Sequence, residues 1–143
     1  MSTSTYRQIH HALREIHMKT RCKMVAEVTR QKVEFSPIEH KAMSSILRLG
    51  AVSQQVLAQS MNRDKAQIAR IIARLLKQDL ITKQENPEDK RSVLLALTEK
   101  GLTLLKRLDE VEAAFIHDML IDFNQQESEM LRSLLQRVNN NLK

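Results

Sequence analysis

The chain has 143 residues, 42% of them hydrophobic and 3% aromatic, which suits one domain, or one small unit flanked by helices, with enough apolar residues for a core. A net charge of +6 and an isoelectric point near 9.7 are compatible with a nucleic-acid partner. A single cysteine excludes an internal disulfide and fits a reducing compartment, and with no run of about 18 apolar residues and no signal-peptide core the expectation is a soluble, cytoplasmic protein without membrane association.

Residues 6 to 32 are predicted helical, with Ile9, Leu13, Ile16, Met24, Val25 and Val28 forming a broken apolar stripe too thin to stand alone. Arg7, Arg14 and Arg21 recur every seven residues, as do His10 and His17, so both sets keep to fixed faces. Such a face is either solvated, with histidines at a subunit contact, or an anion-binding wall. Residues 1 to 32 hold seven Lys/Arg against two acids, residues 62 to 91 eight against five, and the chain from residue 98 six against eight. The largest local excess therefore lies on the first helix, which makes the overall charge a weaker argument for DNA than the motifs below. Cys22 reads as a packed or partly exposed thiol.

Ser36-Pro37-Ile38-Glu39 is a helix start: serine caps, proline takes the first helical position and glutamate closes a capping box. Ile38, Ala42, Ile46, Leu47 and Leu49 are then expected in the core, with the helix ending near Gly50. Glu39 and His40 raise the question of a metal, but the remaining histidines, His10, His11, His17 and His117, form no His-x3-His pair, and a closed zinc site needs four convergent ligands. No metal and no cofactor are assigned.

Val52 to Met61 reads as a short helix capped by Ser53 that buries Val56, Leu57 and Met61. After a brief polar turn, Asn62 to Gln78 forms a second helix with Ile68, Ile71, Ile72 and Leu75 on one face, which turns Arg63, Gln67, Arg70, Arg74 and Lys77 to the other. Asp64 is placed to cap it, with Gln67 three residues on to complete a box, so its first amides can face a phosphate. Two such helices in tandem make a helix-turn-helix. Ile81 to Glu85 and Ser92 to Thr98 follow as strands, and Asn86-Pro87-Glu88-Asp89-Lys90-Arg91 is a hairpin tip too polar to bury. The order helix, helix, hairpin is that of a winged helix. The candidate DNA-contacting residues are Arg63, Lys65, Gln67, Arg70, Arg74, Lys90 and Arg91, with Asp89 expected to pin the Arg91 guanidinium.

Asp89-Lys90-Arg91 followed by Leu95-x-Leu97-Thr98-x-Lys100-Gly101 resembles the wing and post-wing signature of MarR-type transcriptional regulators, and Leu57-Ala58 and Arg70-x3-Arg74-Leu75 fall where that family has its helix-turn-helix. The likeness covers about Ser36 to Gly101 by motif. Asp79 stands where the family often has glycine, and aspartate can take the left-handed conformation required there. The resemblance implies binding of double-stranded DNA as a homodimer and a response to a small anionic or phenolic effector. Some relatives sense zinc or oxidants, but Cys22 has no second cysteine beside it.

From Thr98 to about Asp122 a long amphipathic helix carries Leu105, Leu108, Val111, Phe115, Met119 and Leu120. A second, opened by the box Asn124-x-x-Glu127, carries Met130, Leu131, Leu134, Leu135, Val138 and Leu142. These faces exceed what one winged domain covers. With Ile9 and Leu13 of the first helix, the residues Leu108, Phe115, Leu131, Leu134 and Val138 are expected in a two-fold interface that sets two recognition helices about one DNA turn apart. The alternative is a self-contained helical bundle.

The expected architecture is mainly α with a small β-hairpin wing. Residues 1–35 and 101–143 supply dimerisation helices and residues 36–100 a winged helix-turn-helix. No phosphate loop, nucleophile elbow or His-Glu-x-x-His motif is present, and two glycines are too few for nucleotide-cradling loops, so an enzyme is not expected. The function read from this pattern is a ligand-responsive repressor on a pseudo-palindromic operator. The alternatives are a helical protein-interaction module or an architectural winged-helix protein without an effector.

Overall fold

The computed structural model describes residues 2–142. Among them the elements follow as α1 (Thr3–Arg30), α2 (Pro37–Leu49), β1 (Val52–Ser53), α3 (Gln54–Met61), α4 (Lys65–Lys77), β2 (Ile81–Glu85), β3 (Val93–Leu97), α5 (Glu99–Met119) and α6 (Gln125–Asn141). The chain forms two compact units, Met1–Val111 and Glu112–Lys143.

In the first unit the strands make an antiparallel sheet in the order β1-β3-β2, so the expected hairpin gains a third strand. Leu95 of β3 is the pivot, with Val52 of β1 on one side and Lys83 of β2 on the other. At two residues, β1 is too short for alternation to reveal. The core gathers Ala42, Met43 and Ile46 of α2, Leu57 and Met61 of α3, Ile68, Ile71, Ile72 and Leu75 of α4, Leu80, Ile81 and Leu95 around the sheet, and Leu104, Leu105 and Leu108 of α5. Burying the four apolar side chains of α4 contributes on the order of 6–12 kcal/mol as an upper bound, against about 1 kcal/mol for its cap. The apolar face holds this helix; the cap decides where it begins.

Several core expectations are corrected. Leu47, Leu49 and Val56 are exposed. Leu47 and Val56 lie one residue, or 100°, past the inward-facing Ile46 and before Leu57, and Leu49 ends α2 beyond the reach of the core. Leu108, expected between subunits, is 0% exposed and sits inside its own unit, so its side chain is not available to a partner. The start of α2 carries its expected capping box, in which Glu39 Oε2 accepts the Ser36 amide at 2.7 Å.

The Thr98-to-Gly101 signature ties the end of α4 to the start of α5. Helix α4 finishes in the left-handed conformation at Asp79 (φ 59°), with the Leu80 amide donating to Leu75 O and the Asp79 amide to Leu76 O, each at 3.0 Å. The Thr98 hydroxyl donates to Asp79 O (2.6 Å) and accepts from the Gly101 amide (3.0 Å), the Thr98 amide donates to Leu80 O (3.1 Å), and Lys100 Nζ donates to Gln78 O (2.9 Å). Gly101 is required by this approach: an ideal Cβ there would lie 2.0 Å from Leu80 O.

Helix α1 joins this unit through its last turns, where Met24 and Val28 pack on the core. Glu27 is buried there, accepting from Gln31 Nε2 and Arg107 Nε at 2.9 Å each, with Arg30 Nη1 at 3.1 Å. The Gln31 hydrogen bond, then that of Arg107, holds its carboxyl below the usual carboxylate range, and the same contact raises Arg107. Towards the N-terminus Ile9 (48%) and Leu13 (40%) are exposed. In the second unit, α6 starts at a closed box, with Asn124 Oδ1 accepting the Glu127 amide and Glu127 Oε2 the Asn124 amide, each at 2.9 Å. Leu134 and Val138 of α6 are exposed, and Phe115 and Leu131 are half-buried.

Candidate nucleic-acid interface

Helix α3 ends at Asn62 in the left-handed conformation (φ 51°), and Arg63 follows in the turn with its amide on Ala58 O at 3.1 Å. Asp64 then caps α4, its Oδ1 accepting the Gln67 amide at 2.9 Å. The expected box is not closed, since no hydrogen bond returns from the Gln67 carboxamide among the described residues. That side chain stays exposed, together with Arg63, Lys65 and Arg70. Sequence periodicity and structure agree on this face because burial of the Ile68, Ile71, Ile72 and Leu75 ridge turns the opposite face outward.

Two concavities flank α4. One, of about 310 Å³, is lined by Ile38, Arg63, Gln67, Arg70, Ile71 and Arg74. The other, of about 1190 Å³, separates α3 and α4 from the hairpin and is bordered by Arg63, Lys65, Ala69, Lys83, Asp89 and Arg91 among others. Arg63 lines both. Lys83 is a cation that the sequence reading missed; its place on β2, two residues after the buried Ile81, marked a strand position but not the cleft it borders.

Arg74 is not a free cation. It is exposed, as expected, but forms an ion pair with Glu39, whose carboxylate is almost fully buried, so its charge is compensated from α2. The same pairing accounts for Glu39 without a metal. His40 Nε2 lies 3.3 Å from Asp109 Oδ1, and its ring stands beside Phe35. Among the described residues no group of three His, Cys, Asp or Glu side chains is arranged to hold a metal ion.

At the hairpin tip Lys90 and Arg91 are exposed. Asp89 acts on backbone, not on the guanidinium: its Oδ1 accepts the Arg91 amide at 3.0 Å and its carbonyl the Ser92 amide at 3.1 Å. Asn86 Oδ1 accepts the Glu88 amide at 3.0 Å. Two successive Asx turns therefore order the tip. The expected clamp on the Arg91 side chain is corrected, because among the described residues no ion pair joins Asp89 to Arg91. The surface so assembled offers cations and amide groups from a helix face and a hairpin tip, which is chemistry for phosphates and base edges.

Residues 35–93 match the MarR family model. The chain is 28% identical over 91 residues to the HTH-type transcriptional regulator YdgJ of Bacillus subtilis (strain 168), a match covering 64% of this chain and 56% of that protein. It is 33% identical over 90 residues to YxaD of the same organism, another HTH-type transcriptional regulator, with 63% of each covered. The fold matches the YusO protein from Bacillus subtilis (TM-score 0.77, 18% identity, 98% of this chain and 99% of that one). It also matches a mutant MarR from E. coli complexed with operator DNA (TM-score 0.69, 18% identity, 92% and 93% covered). The family model, the sequence relatives and the winged-helix architecture agree that residues 35–93 carry a MarR-family domain, and the chain as a whole is similar in fold to MarR proteins.

Proposed function

We propose that this chain is a transcriptional regulator that binds double-stranded DNA sequence-specifically as a homodimer and represses from a pseudo-palindromic operator. The observation that carries the reading is the exposed set of Arg63 in the turn and Lys65, Gln67 and Arg70 on α4, beside a hairpin presenting Lys90 and Arg91. Helix α4 enters the major groove, with Gln67 and Arg70 reading base edges and Arg63 and Lys65 gripping phosphate. Lys90 and Arg91 lie at the minor groove.

Residues 36–100 bind DNA, while residues 1–35 and 101–143 hold the dimer. Support for the second part is that Ile9 and Leu13 in one unit, and Leu134 and Val138 in the other, are exposed apolar side chains in a single chain, with Phe115 and Leu131 half-covered. Such faces mark interfaces more often than solvent. The likeness to MarR-family regulators supports release by a small anionic or phenolic effector, a cytoplasmic location and the absence of enzymatic chemistry.

A gel shift across a salt titration tests the reading. Neutralised phosphates must appear as a steep linear fall of log affinity with log salt. A flat response would favour a helical protein-interaction module with a solvated basic face.

A further inference from the structure

The four buried side chains of α4 fix its depth in the fold and which face turns inward, but apolar contacts are weakly directional and leave the tilt of the helix axis loosely set. Polar contacts set its angle, and they converge on one short stretch. Arg74 and the C-cap Gln78, one turn apart, both reach the stretch 34–39, the end of the α1–α2 junction and the first turn of α2. Glu39, fully buried, accepts from Arg74 through Oε1 and from the Ser36 amide through Oε2, so a single carboxylate fixes both the start of α2 and the side of α4. Gln78 makes a two-way clasp: its Oε1 accepts the Glu34 amide at 2.7 Å and its Nε2 donates to Glu34 O at 2.6 Å. From the opposite direction Lys100 and Thr98, at the start of α5, bond the Gln78 and Asp79 carbonyls. The C-terminal turn of α4 is thus held between the junction leaving α1 and the first turn of α5.

We infer that Glu39, Arg74 and Gln78 are positioning residues that strap α4 to the α1–α2 junction and set the angle at which it meets DNA. This rests on the dimeric DNA-binding reading. In a two-fold dimer the placement of α1 and α5 fixes the separation of the two recognition helices, and the strap passes that placement to α4. Arg74, with its charge compensated by Glu39, adds no net phosphate contact; it acts through orientation.

The test uses the full chain and a series of duplexes carrying two copies of its preferred half-site, separated in one-base-pair steps. Wild type should prefer one spacing over its neighbours by about tenfold, the size of one good base contact. Gln78→Met keeps length and apolar bulk but loses the clasp. It should keep the wild-type circular dichroism and affinity for random DNA while its spacing preference flattens to about threefold or less. Arg74→Met should bind the best duplex about tenfold more weakly with the wild-type salt slope, whereas Arg63→Met, at a phosphate contact, loses about 0.9 per subunit from that slope. A wild-type spacing profile in Gln78→Met, or a slope lowered by about one unit in Arg74→Met, overturns the strap. A wild-type protein that binds every spacing alike overturns the dimeric reading, and the inference with it.

Discussion

Replacing Gly101 by alanine adds one methyl group at the point where α5 crosses the end of α4. Two effects oppose each other. Alanine favours a helix over glycine by about 1 kcal/mol. Against this, the new Cβ would sit 2.0 Å from Leu80 O, where ordinary contact is about 3.5–4.0 Å, so backbone must move by roughly 1.5 Å. That oxygen is not free to retreat, since it accepts the Thr98 amide at 3.1 Å and belongs to the turn that ends α4. Overpacking of this kind costs about 1–3 kcal/mol, and a backbone neighbour puts it at the upper end. The net expectation for Gly101→Ala is a loss of about 2 kcal/mol, seen as a Tm about 4–8 °C lower. Urea unfolding followed by circular dichroism measures it. A variant within about 0.5 kcal/mol of wild type would refute the reasoning, because the close approach would then carry no constraint.

Four further outcomes are expected. Arg70→Ala should lose about 1–3 kcal/mol on a selected operator and relax preference at one base pair, and equal losses on random DNA would mean that it only grips phosphate. Arg91→Ala should weaken binding to most sequences and lower the salt slope by about one unit per subunit, while Asp89→Ala, which frees the Arg91 backbone but keeps the charge, should cost less and leave the slope unchanged. Leu134→Asp should give folded monomer by light scattering, whereas Leu108→Asp buries an unpaired carboxylate and should lose the folded circular dichroism signal; a folded Leu108→Asp protein contradicts its place in the core. Glu27 has a folded-state pKa below its unfolded value of 4.5, so its contribution is fully present above about pH 4.5 and is lost as the pH falls through the folded value. Glu27→Gln should flatten the acid limb of the stability profile, and an unchanged limb would remove this carboxylate from the account.

The parts legible in the sequence are those encoded locally. Asp64, Ser53 and Asn124 cap the helices they were expected to cap, because a cap is a contact between residues three apart. The apolar ridge of α4 is long and regular enough to orient its opposite face. What escaped is encoded across distance. Glu39 meets Arg74 over 35 residues, Gln78 meets Glu34 over 44, and Glu27 meets Arg107 over 80, and helical periodicity is silent about which outward side chain finds a partner. Leu108 failed for a related reason. It shares a stripe on α5 with Phe115, and the spacing gives the face without telling which turns of a long helix lie under the core and which have left it. Asp89 is ambiguous in sequence because an Asx turn and an ion pair use the same residues at the same separation, and the structure shows the turn.

Methylation interference on a selected operator tests most directly that α4 reads the major groove while the hairpin lies at the minor groove. Dimethyl sulfate modifies guanine N7 in the major groove and adenine N3 in the minor groove, so one reagent reports on both. The account predicts two patches of guanine interference about one helical turn apart, flanked by adenine interference that disappears for Arg91→Ala. Interference confined to a single patch, or adenine interference that persists unchanged without Arg91, would contradict it.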